Sequence, residues 1–208
     1  MPTTILFQGD SVTDCGRRDA GNDPLGNGYP LLVKVAAQAA QPGAFVFRNR
    51  GTSGARVRDL RAHWREDCLD LQPDAVSILI GVNDTWRRYD QNDPTSDAAF
   101  EEDYRALLNP LRAGGQRLLL ITPFLLDTEE RVTRMREDLA GKQAVVRRLA
   151  AAYGAALLDA DALFAQAQRE QNNPPAAFAA DGIHPTQEGH RLLAKAVGDV
   201  LRLCVQPG

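Results

Sequence analysis

Five short apolar runs alternate with helix-forming stretches along the chain, and this alternation is what most constrains its fold. The runs are residues 5–7, 44–47, 75–80, 117–121 and 156–158. Strand–helix–strand alternation favours a parallel sheet with helices packed on both faces. The sequence therefore predicts a three-layer α/β/α sandwich, with a five-stranded parallel sheet in the order 2-1-3-4-5, in one domain over residues 1–208.

The helix-forming stretches carry apolar residues at intervals of three and four. In the first of them, which begins near Pro30, the expected buried positions are Leu31, Leu32, Val35, Ala36 and Ala39. Further helices are predicted over residues 57–71, 95–114, 145–153, 160–170 and about 186–204. The charged stretch 127–138 fits either an irregular excursion or the first turns of a long helix.

Polar turns follow the first and third predicted strands. They read Gly9-Asp10-Ser11 and Gly81-Val82-Asn83-Asp84, and both are interpreted as loops. In the predicted strand order these two strands flank the topological switch point, where ligands bind in open α/β sheets. We therefore expect the two turns to meet in one crevice. A serine in such a turn is, by itself, more often a helix cap or a turn former than a nucleophile.

A serine nucleophile needs a histidine to accept its proton and an acid to orient that histidine. The chain has three histidines. His63 and His190 lie within predicted helices, where surface or half-buried side chains are expected. His184 lies in the loop Asp181-Gly182-Ile183-His184, so one turn can present an acid and a histidine to the same crevice.

Composition excludes several classes of function. A net charge of −3 offers no electrostatic case for nucleic-acid binding, and 44% hydrophobic with 25% charged residues is ordinary globular usage, without membrane spans. Neither a phosphate-binding glycine loop nor a metal-binding motif occurs, so we expect no cofactor and no metal, and a flavodoxin-like nucleotide-binding module is disfavoured.

The cysteines and the start of the chain indicate a compartment. Cys15, Cys68 and Cys204 are an odd number at wide spacing, which suits a reducing environment. Cys68 and Cys204 fall on apolar helix faces and are expected in the core, and Cys15 is interpreted as a packing residue. No basic region or apolar leader precedes the first strand, so a cytoplasmic location is expected.

Four segments together resemble the ordered blocks of the SGNH, or GDSL-type, hydrolases. They are Gly-Asp-Ser-Val at residues 9–12, the glycine loop at 49–54, Gly-Val-Asn-Asp at 81–84, and Asp-Gly-Ile-His at 181–184. The resemblance implies the flavodoxin-like SGNH fold, with Ser11 as nucleophile, His184 as general base and then acid, and Asp181 as the orienting carboxylate.

The same resemblance implies an oxyanion hole. Its donors would be the backbone N–H groups of Ser11 and Gly54 and the side-chain amide of Asn83. Gly54 is matched because residues 49–54 resemble the family's Asn-x-x-x-Ser-Gly, but Gly51 remains an alternative. Glycine allows close approach to the developing oxyanion, and an amide donates without adding charge.

Longer matches point to a subgroup, the intracellular acetylxylan esterases of this family. They include residues 10–17, 57–60, 82–87 and 122–124. The resemblance implies a short-chain acetyl esterase acting on xylo-oligosaccharides or related acetylated sugars, and it hints at a homo-oligomer. The side chains expected to bind substrate are Asp14, Arg17, Arg58, Asp84 and Trp86.

Two questions stay open at this point. Trp86 and Tyr89 could stack on a sugar ring or could close their loop onto the domain. The alternative function is a lysophospholipase or thioesterase acting on longer acyl chains, for which Phe124, Leu125 and Leu126 could build an apolar tunnel.

Overall fold

A five-stranded parallel sheet forms the centre of the molecule. The structure is a computed structural model that describes residues 1–205, with side chains through residue 202. The strands are β1 (Thr3–Gly9), β2 (Phe45–Asn49), β3 (Ala75–Leu79), β4 (Arg117–Ile121) and β5 (Ala156–Leu158). Their order is β2-β1-β3-β4-β5, which confirms the predicted topology.

Helices cover both faces of the sheet. They are α1 (Ser11–Asp14), α2 (Tyr29–Ala40), α3 (Val57–Asp67), α4 (Val82–Asp90), α5 (Asp97–Gly114), α6 (Glu130–Thr133), α7 (Arg136–Tyr153), α8 (Ala160–Gln171) and α9 (Gln187–Val205). Short 3₁₀ turns lie at Leu69–Leu71 and Pro175–Ala177. Helices α2, α8 and α9 pack on one face, and α3, α5 and α7 pack on the other.

Alternation along β1 divides the core into two layers. Ile5 and Phe7 face the α2/α9 side, whereas Leu6 faces the α3/α5 side, as successive residues of a strand must. Phe7 is fully buried and contacts Tyr29 edge-on at 5.6 Å between ring centroids. Because β1 is buried on both faces, its sequence is a continuous apolar run, as is typical of a central parallel strand.

The turns after β1 and β3 are helix starts, so their interpretation as loops was wrong. The Asp10 side chain accepts a 3.0 Å hydrogen bond from the N–H of Val12 and caps α1. Cys15 ends that helix after one turn, in a left-handed conformation with φ 40°. Gly81 similarly precedes α4. Turn-forming residues also cap helices, so composition alone does not separate the two structures.

The predicted buried face of α2 was wrong for Val35, Ala36 and Ala39, which are exposed, whereas Leu32 is partly buried against the core as expected. Val33 is 4% exposed, whereas Val35 is 56% exposed. The helix begins at Tyr29, and its buried stripe runs through Tyr29 and Val33, one turn apart. Val35 is two positions from Val33, so it lies on the opposite side of the helix and faces solvent.

Other helix boundaries differ from expectation by a few residues. α3 ends at Asp67, and the predicted continuation to Leu71 is the first 3₁₀ turn. The charged stretch near residue 130 forms the short helix α6 before α7 begins at Arg136, so both expected alternatives are partly realised. The last helix confirms the prediction to within one residue at each end, but the side chain of Cys204 lies outside those described.

Two observations concern membranes and thiols. Within residues 1–205, no helix combines the length and apolar character needed to cross a bilayer. Cys68 is buried in the α3/α5 layer, as expected, and Cys15 is partly buried; both are free thiols.

The two valines of α2 provide a matched test of its orientation. Val33→Ala should lower the free energy of unfolding by about 1.5–3 kcal/mol, because it removes buried methyl groups and leaves a cavity. Val35→Ala should change it by less than about 0.5 kcal/mol, as at other exposed sites. Equilibrium urea unfolding measures both. Equal losses at the two positions would contradict the orientation of α2.

Candidate active site

Ser11 lies at the carboxyl edge of the sheet as the first residue of α1. Its Oγ is 2.9 Å from Nε2 of His184, 173 positions away in the sequence. The His184 side chain is 44% exposed, so a substrate can reach the pair. This is the hydrogen-bond geometry that proton transfer from a serine to an imidazole requires.

Asp181 orients the His184 ring. Its Oδ2 is 2.7 Å from Nδ1 of His184, and its Oδ1 accepts the backbone N–H groups of Ile183 at 2.9 Å and His184 at 2.8 Å. Because Oδ2 is an acceptor, the hydrogen-bond network assigns the proton to Nδ1 and leaves Nε2 free to accept from Ser11. Partial burial opposes the charge of Asp181, but the hydrogen bonds from His184 and Ile183 outweigh it and lower the pKa of this carboxyl.

Gly51 and Gly54, the two glycines of the loop after β2 that could supply an oxyanion N–H, have different surroundings. The N–H of Gly51 already donates to Oδ1 of Asn49 at 2.8 Å, and a Cβ there would lie 2.4 Å from the backbone nitrogen of Asp14. Gly54, by contrast, is exposed with φ +80°, and a Cβ there would meet nothing within 4 Å. Within the described chain, no hydrogen bond is formed by the N–H of Gly54.

Asn83 lies in the first turn of α4 and is only 2% exposed. One N–H of its side chain donates to the carbonyl oxygen of Ala55 at 3.0 Å. Its Oδ1 accepts from Arg87 at 3.4 Å, which holds the amide with its nitrogen towards the Gly54 turn. The second N–H of the amide therefore remains as a donor beside that turn.

Asp84 does not belong to the substrate-binding surface, and that prediction was wrong. Its residue is fully buried, and its Oδ2 accepts the N–H of Val57 at the start of α3 at 3.1 Å. Burial raises the pKa of Asp84 to about 7, against the lowering effects of the Val57 hydrogen bond and of nearby Lys142. Asp84 thus joins α4 to α3 from the interior.

Asp14 and Arg17 are also turned towards the protein, contrary to the prediction that they bind substrate. Asp14 accepts hydrogen bonds from Ser53, and Arg17 Nε donates to the carbonyl oxygen of Gly51 at 2.7 Å. Arg58 is exposed, but its guanidinium is paired with Asp93 at 2.7 Å.

The two aromatic residues of α4 differ in their surroundings. The Trp86 ring lies 6.3 Å from that of His184, with the guanidinium carbons of Arg87 and Arg131 at 5.4 and 5.8 Å from its centroid. Trp86 therefore borders the crevice, and the nearby arginines leave it partly covered. Tyr89 donates its hydroxyl to the carbonyl oxygen of Arg134 at 3.1 Å and closes α4 onto the segment after α6.

His190 was predicted at the surface or half-buried, but it is buried. Its Nδ1 accepts the N–H of Tyr29 at 3.2 Å, and its Nε2 lies 3.4 Å from Sγ of Cys15. Burial, helped by the nearby His184, lowers the pKa of His190 to about 4, so the ring stays neutral. Because Nδ1 accepts from Tyr29, the single ring proton of the neutral imidazole lies on Nε2, which donates it towards Sγ of Cys15. Nothing in the sequence around His190 signals these contacts.

Two further observations concern the acidic and metal-binding groups of the site. Burial raises the pKa of Asp10, beside Ser11, to about 7, although the Val12 N–H and the charge of His184 act in the opposite direction. Among the side chains described, those of residues 1–202, no three from His, Cys, Asp or Glu converge as ligands of a metal ion would.

Comparison with known proteins shows similarity over nearly the whole chain. The model of the GDSL-like lipase/acylhydrolase family matches residues 7–192. An acetylxylan esterase from Geobacillus stearothermophilus is 37% identical over 201 residues, which are 92% of this chain and 90% of the relative. A crystal structure of an acetylxylan esterase from the same organism has a TM-score of 0.84 at 35% identity, covering 94% of this chain and 92% of the other.

A further solved structure extends the likeness. It is an α/β hydrolase enzyme from the metagenome of Lake Arreo, Spain, with a TM-score of 0.87 at 29% identity. The alignment covers 98% of this chain and 97% of that one.

The buried Asp84 predicts a pH dependence of stability. In the unfolded chain this carboxyl ionises near 3.8, whereas in the fold its pKa is about 7. Between these values the folded state holds a proton that the unfolded state releases, so stability falls as the pH rises from about 4 to 7. Asp84→Asn cannot ionise and still accepts from Val57, so its Tm should exceed that of the wild type at pH 8 by more than at pH 4.

Asp93 is a control of opposite sign. Hydrogen bonds from Arg56 and Arg58 lower the pKa of Asp93, so its charge is favourable in the fold. Asp93→Asn should therefore lower the Tm at pH 8 rather than raise it. A Tm of Asp84→Asn below that of the wild type at pH 8 would contradict the conclusion that the ionised carboxylate of Asp84 destabilises the fold.

Proposed function

Because the chain belongs to the GDSL-like lipase/acylhydrolase family, we propose that this serine esterase removes acetyl groups from xylo-oligosaccharides or related acetylated sugars. The observation that carries the proposal is the continuous hydrogen-bond chain from Asp181 through His184 to Ser11. Its distances of 2.7 and 2.9 Å join three residues at the one edge where the ends of β1 and β3 meet.

In the proposed mechanism Ser11 attacks the acetyl carbonyl carbon while its proton passes to Nε2 of His184. His184 then gives this proton to the sugar oxygen as the ester bond breaks, which leaves an acetyl-serine. A water molecule, deprotonated by His184, releases acetate by the same route in reverse. Asp181 stays ionised because its pKa is lowered, and it stabilises the imidazolium at each step.

The negative charge on the carbonyl oxygen needs donors that are already in place. We assign this role to the N–H groups of Ser11 and Gly54 and to the side-chain amide of Asn83. The N–H of Ser11 has no acceptor within α1, because it belongs to the first residue of that helix. Gly54 is preferred to Gly51, whose N–H is already bound by Asn49.

The preference for a short acyl group is supported by the interior around Ser11. Phe124, Leu125 and Leu126 are 3%, 0% and 1% exposed and pack in the core, so they do not form an open tunnel. The apolar cavity that includes Val12, Val82 and Ile183 has a volume of about 10 Å³, room for about one water molecule. Trp86 beside His184 is proposed to contact the sugar, with Arg58 at the rim.

Further parts of the proposal concern the whole protein. We propose that residues 1–208 form one hydrolase domain that works in the cytoplasm on imported sugar fragments. The free thiols Cys15 and Cys68 support a reducing compartment. A homo-oligomer remains a prediction from the family resemblance.

The triad is tested by removing its members singly and together. Ser11→Ala and His184→Ala should each lower kcat for an aryl acetate by about 10⁴–10⁶-fold, and the double variant should be little worse, because the residues act as a unit. Asp181→Asn should cost up to about 10⁴-fold through the wrong imidazole tautomer. His63→Ala, at an exposed histidine of α3, is the matched control and should keep full activity. Multiplicative losses in the double variant would contradict the triad.

The substrate class is tested by a series of esters. kcat/KM should be highest for acetate, should fall through butyrate, and should be negligible for octanoate. The described residues next to Ser11 enclose a cavity of only about 10 Å³, too small to bury a long chain and recover roughly 0.8 kcal/mol per CH₂. Acetylated xylo-oligosaccharides should be among the preferred substrates. Trp86→Ala should raise KM for these sugars more than for an aryl acetate, and Trp86→Phe should restore most of the loss. A preference for octanoate would instead favour a lipase or thioesterase.

A further inference from the structure

One short helix carries both the serine and a carboxylate that binds the glycine loop. Ser11 begins α1 and Asp14 ends it. Oδ2 of Asp14 accepts the hydroxyl of Ser53 at 2.7 Å and the N–H of Ser53 at 3.2 Å. Since Ser53 directly precedes Gly54, the position of the Gly54 turn is tied to the helix that carries Ser11.

Arg17 strengthens this connection from the same side. Its Nε donates to the carbonyl oxygen of Gly51 at 2.7 Å and lies 3.6 Å from Oδ1 of Asp14. The side chains of Arg17 and Asp14 are only 9% and 12% exposed. Both side chains are therefore turned into the protein rather than presented to a substrate.

The Gly54 turn is held from its other end by Asn83, which donates to the carbonyl oxygen of Ala55. Between these two attachments Gly54 itself has little support. It is exposed, and a Cβ at its position would contact nothing within 4 Å. Hydrogen bonds on Ser53 and Ala55, and not packing of Gly54, thus decide where its N–H points.

We propose that Asp14 is a positioning residue that aligns the N–H of Gly54 with the N–H of Ser11, and that Arg17 supports it. This inference rests on the proposed oxyanion role of Gly54. Asp14 touches neither substrate nor reacting atoms, and it acts through Ser53. Its role is distinct from substrate binding, because it should affect the transition state and leave the ground state unchanged.

Asp14→Ala is the direct test, with a sugar-free aryl acetate as substrate. The expected result is a fall in kcat of about 10²-fold, the scale of a small misplacement at a reacting centre, with KM changed less than threefold. Phenylboronic acid gives a second readout, because Ser11 Oγ adds to boron and its proton passes to His184. The product is a tetrahedral, negatively charged boronate with one B–OH oxygen in the hole. The affinity for phenylboronic acid should fall in parallel with kcat.

Graded variants separate positioning from folding. Asp14→Asn can still accept from Ser53 and should recover most of kcat. Ser53→Ala, at an exposed residue, removes only the 2.7 Å bond and should give an intermediate loss with unchanged Tm. Asp19→Ala removes an exposed carboxylate from the neighbouring segment and should leave kcat unchanged. The acidic limb of the pH profile of kcat/KM should stay in place in all variants, because the triad is intact.

Three results would overturn the inference. The first is a rise in KM without loss of kcat in Asp14→Ala, and the second is an unchanged affinity of that variant for phenylboronic acid. The third is full activity in Ser53→Ala. This third result decides the question if Asp14→Ala does not fold. The readouts contain no sugar, so a wrong assignment of the carbohydrate substrate would leave them intact. If instead Asn83→Ala and Asp14→Ala both leave kcat and boronate affinity unchanged, the proposed oxyanion hole itself is wrong.

Discussion

The parallel pairing of β1 with β3 is the constraint on which the active site depends. Gly9 pairs with Leu79, so the chain leaves both strands at the same edge of the sheet. A Cβ at Gly9 would lie 2.3 Å from the carbonyl oxygen of Leu79 and 2.4 Å from Oγ1 of Thr13. Glycine thus permits a close approach of β1, β3 and α1, and the parallel pairing places Ser11 and Asn83 at the same edge of the sheet.

A buried polar cluster fixes the helix that carries Asn83. Thr85 donates to Oδ2 of Asp138 at 2.8 Å, and Nζ of Lys142 lies 3.3 Å from the same oxygen. Lys142 is only 1% exposed and also contacts Asp97 at 2.8 Å. Charges taken out of water are costly unless they are paired, so this cluster tolerates few arrangements of α4, α5 and α7. The orientation of α4 therefore depends on directional polar contacts as well as on apolar packing.

The histidine base is linked to the serine by a second route. His184 is followed by α9, and His190 on that helix contacts Cys15 at the end of α1 and the N–H of Tyr29 at the start of α2. A Cβ at Gly28 would lie 2.9 Å from both Sγ of Cys15 and Cε1 of His190, so the backbone packs tightly on this pair. The segments that carry the base and the nucleophile are thus joined through a buried, neutral imidazole.

The sequence by itself determined the strands, their order and the residues that meet at the sheet edge. Periodicity and the alternation of elements are local signals, and the ends of parallel strands must share an edge. The Asp181–His184 turn was also readable, because four consecutive residues of one loop suffice to form it. Family resemblance then linked this turn to Ser11, a separation that no local pattern spans.

Only the tertiary structure decided what the remaining polar residues do. Asp14 and Asp84 are ordinary acids in the sequence, but the fold turns Asp14 to Ser53 and buries Asp84 against Val57. The same holds for the choice between Gly51 and Gly54, which depends on a hydrogen bond from Gly51 to Asn49. The physical reason is that burial and the direction of a hydrogen bond are set by neighbours brought together from distant parts of the chain, which local sequence does not encode.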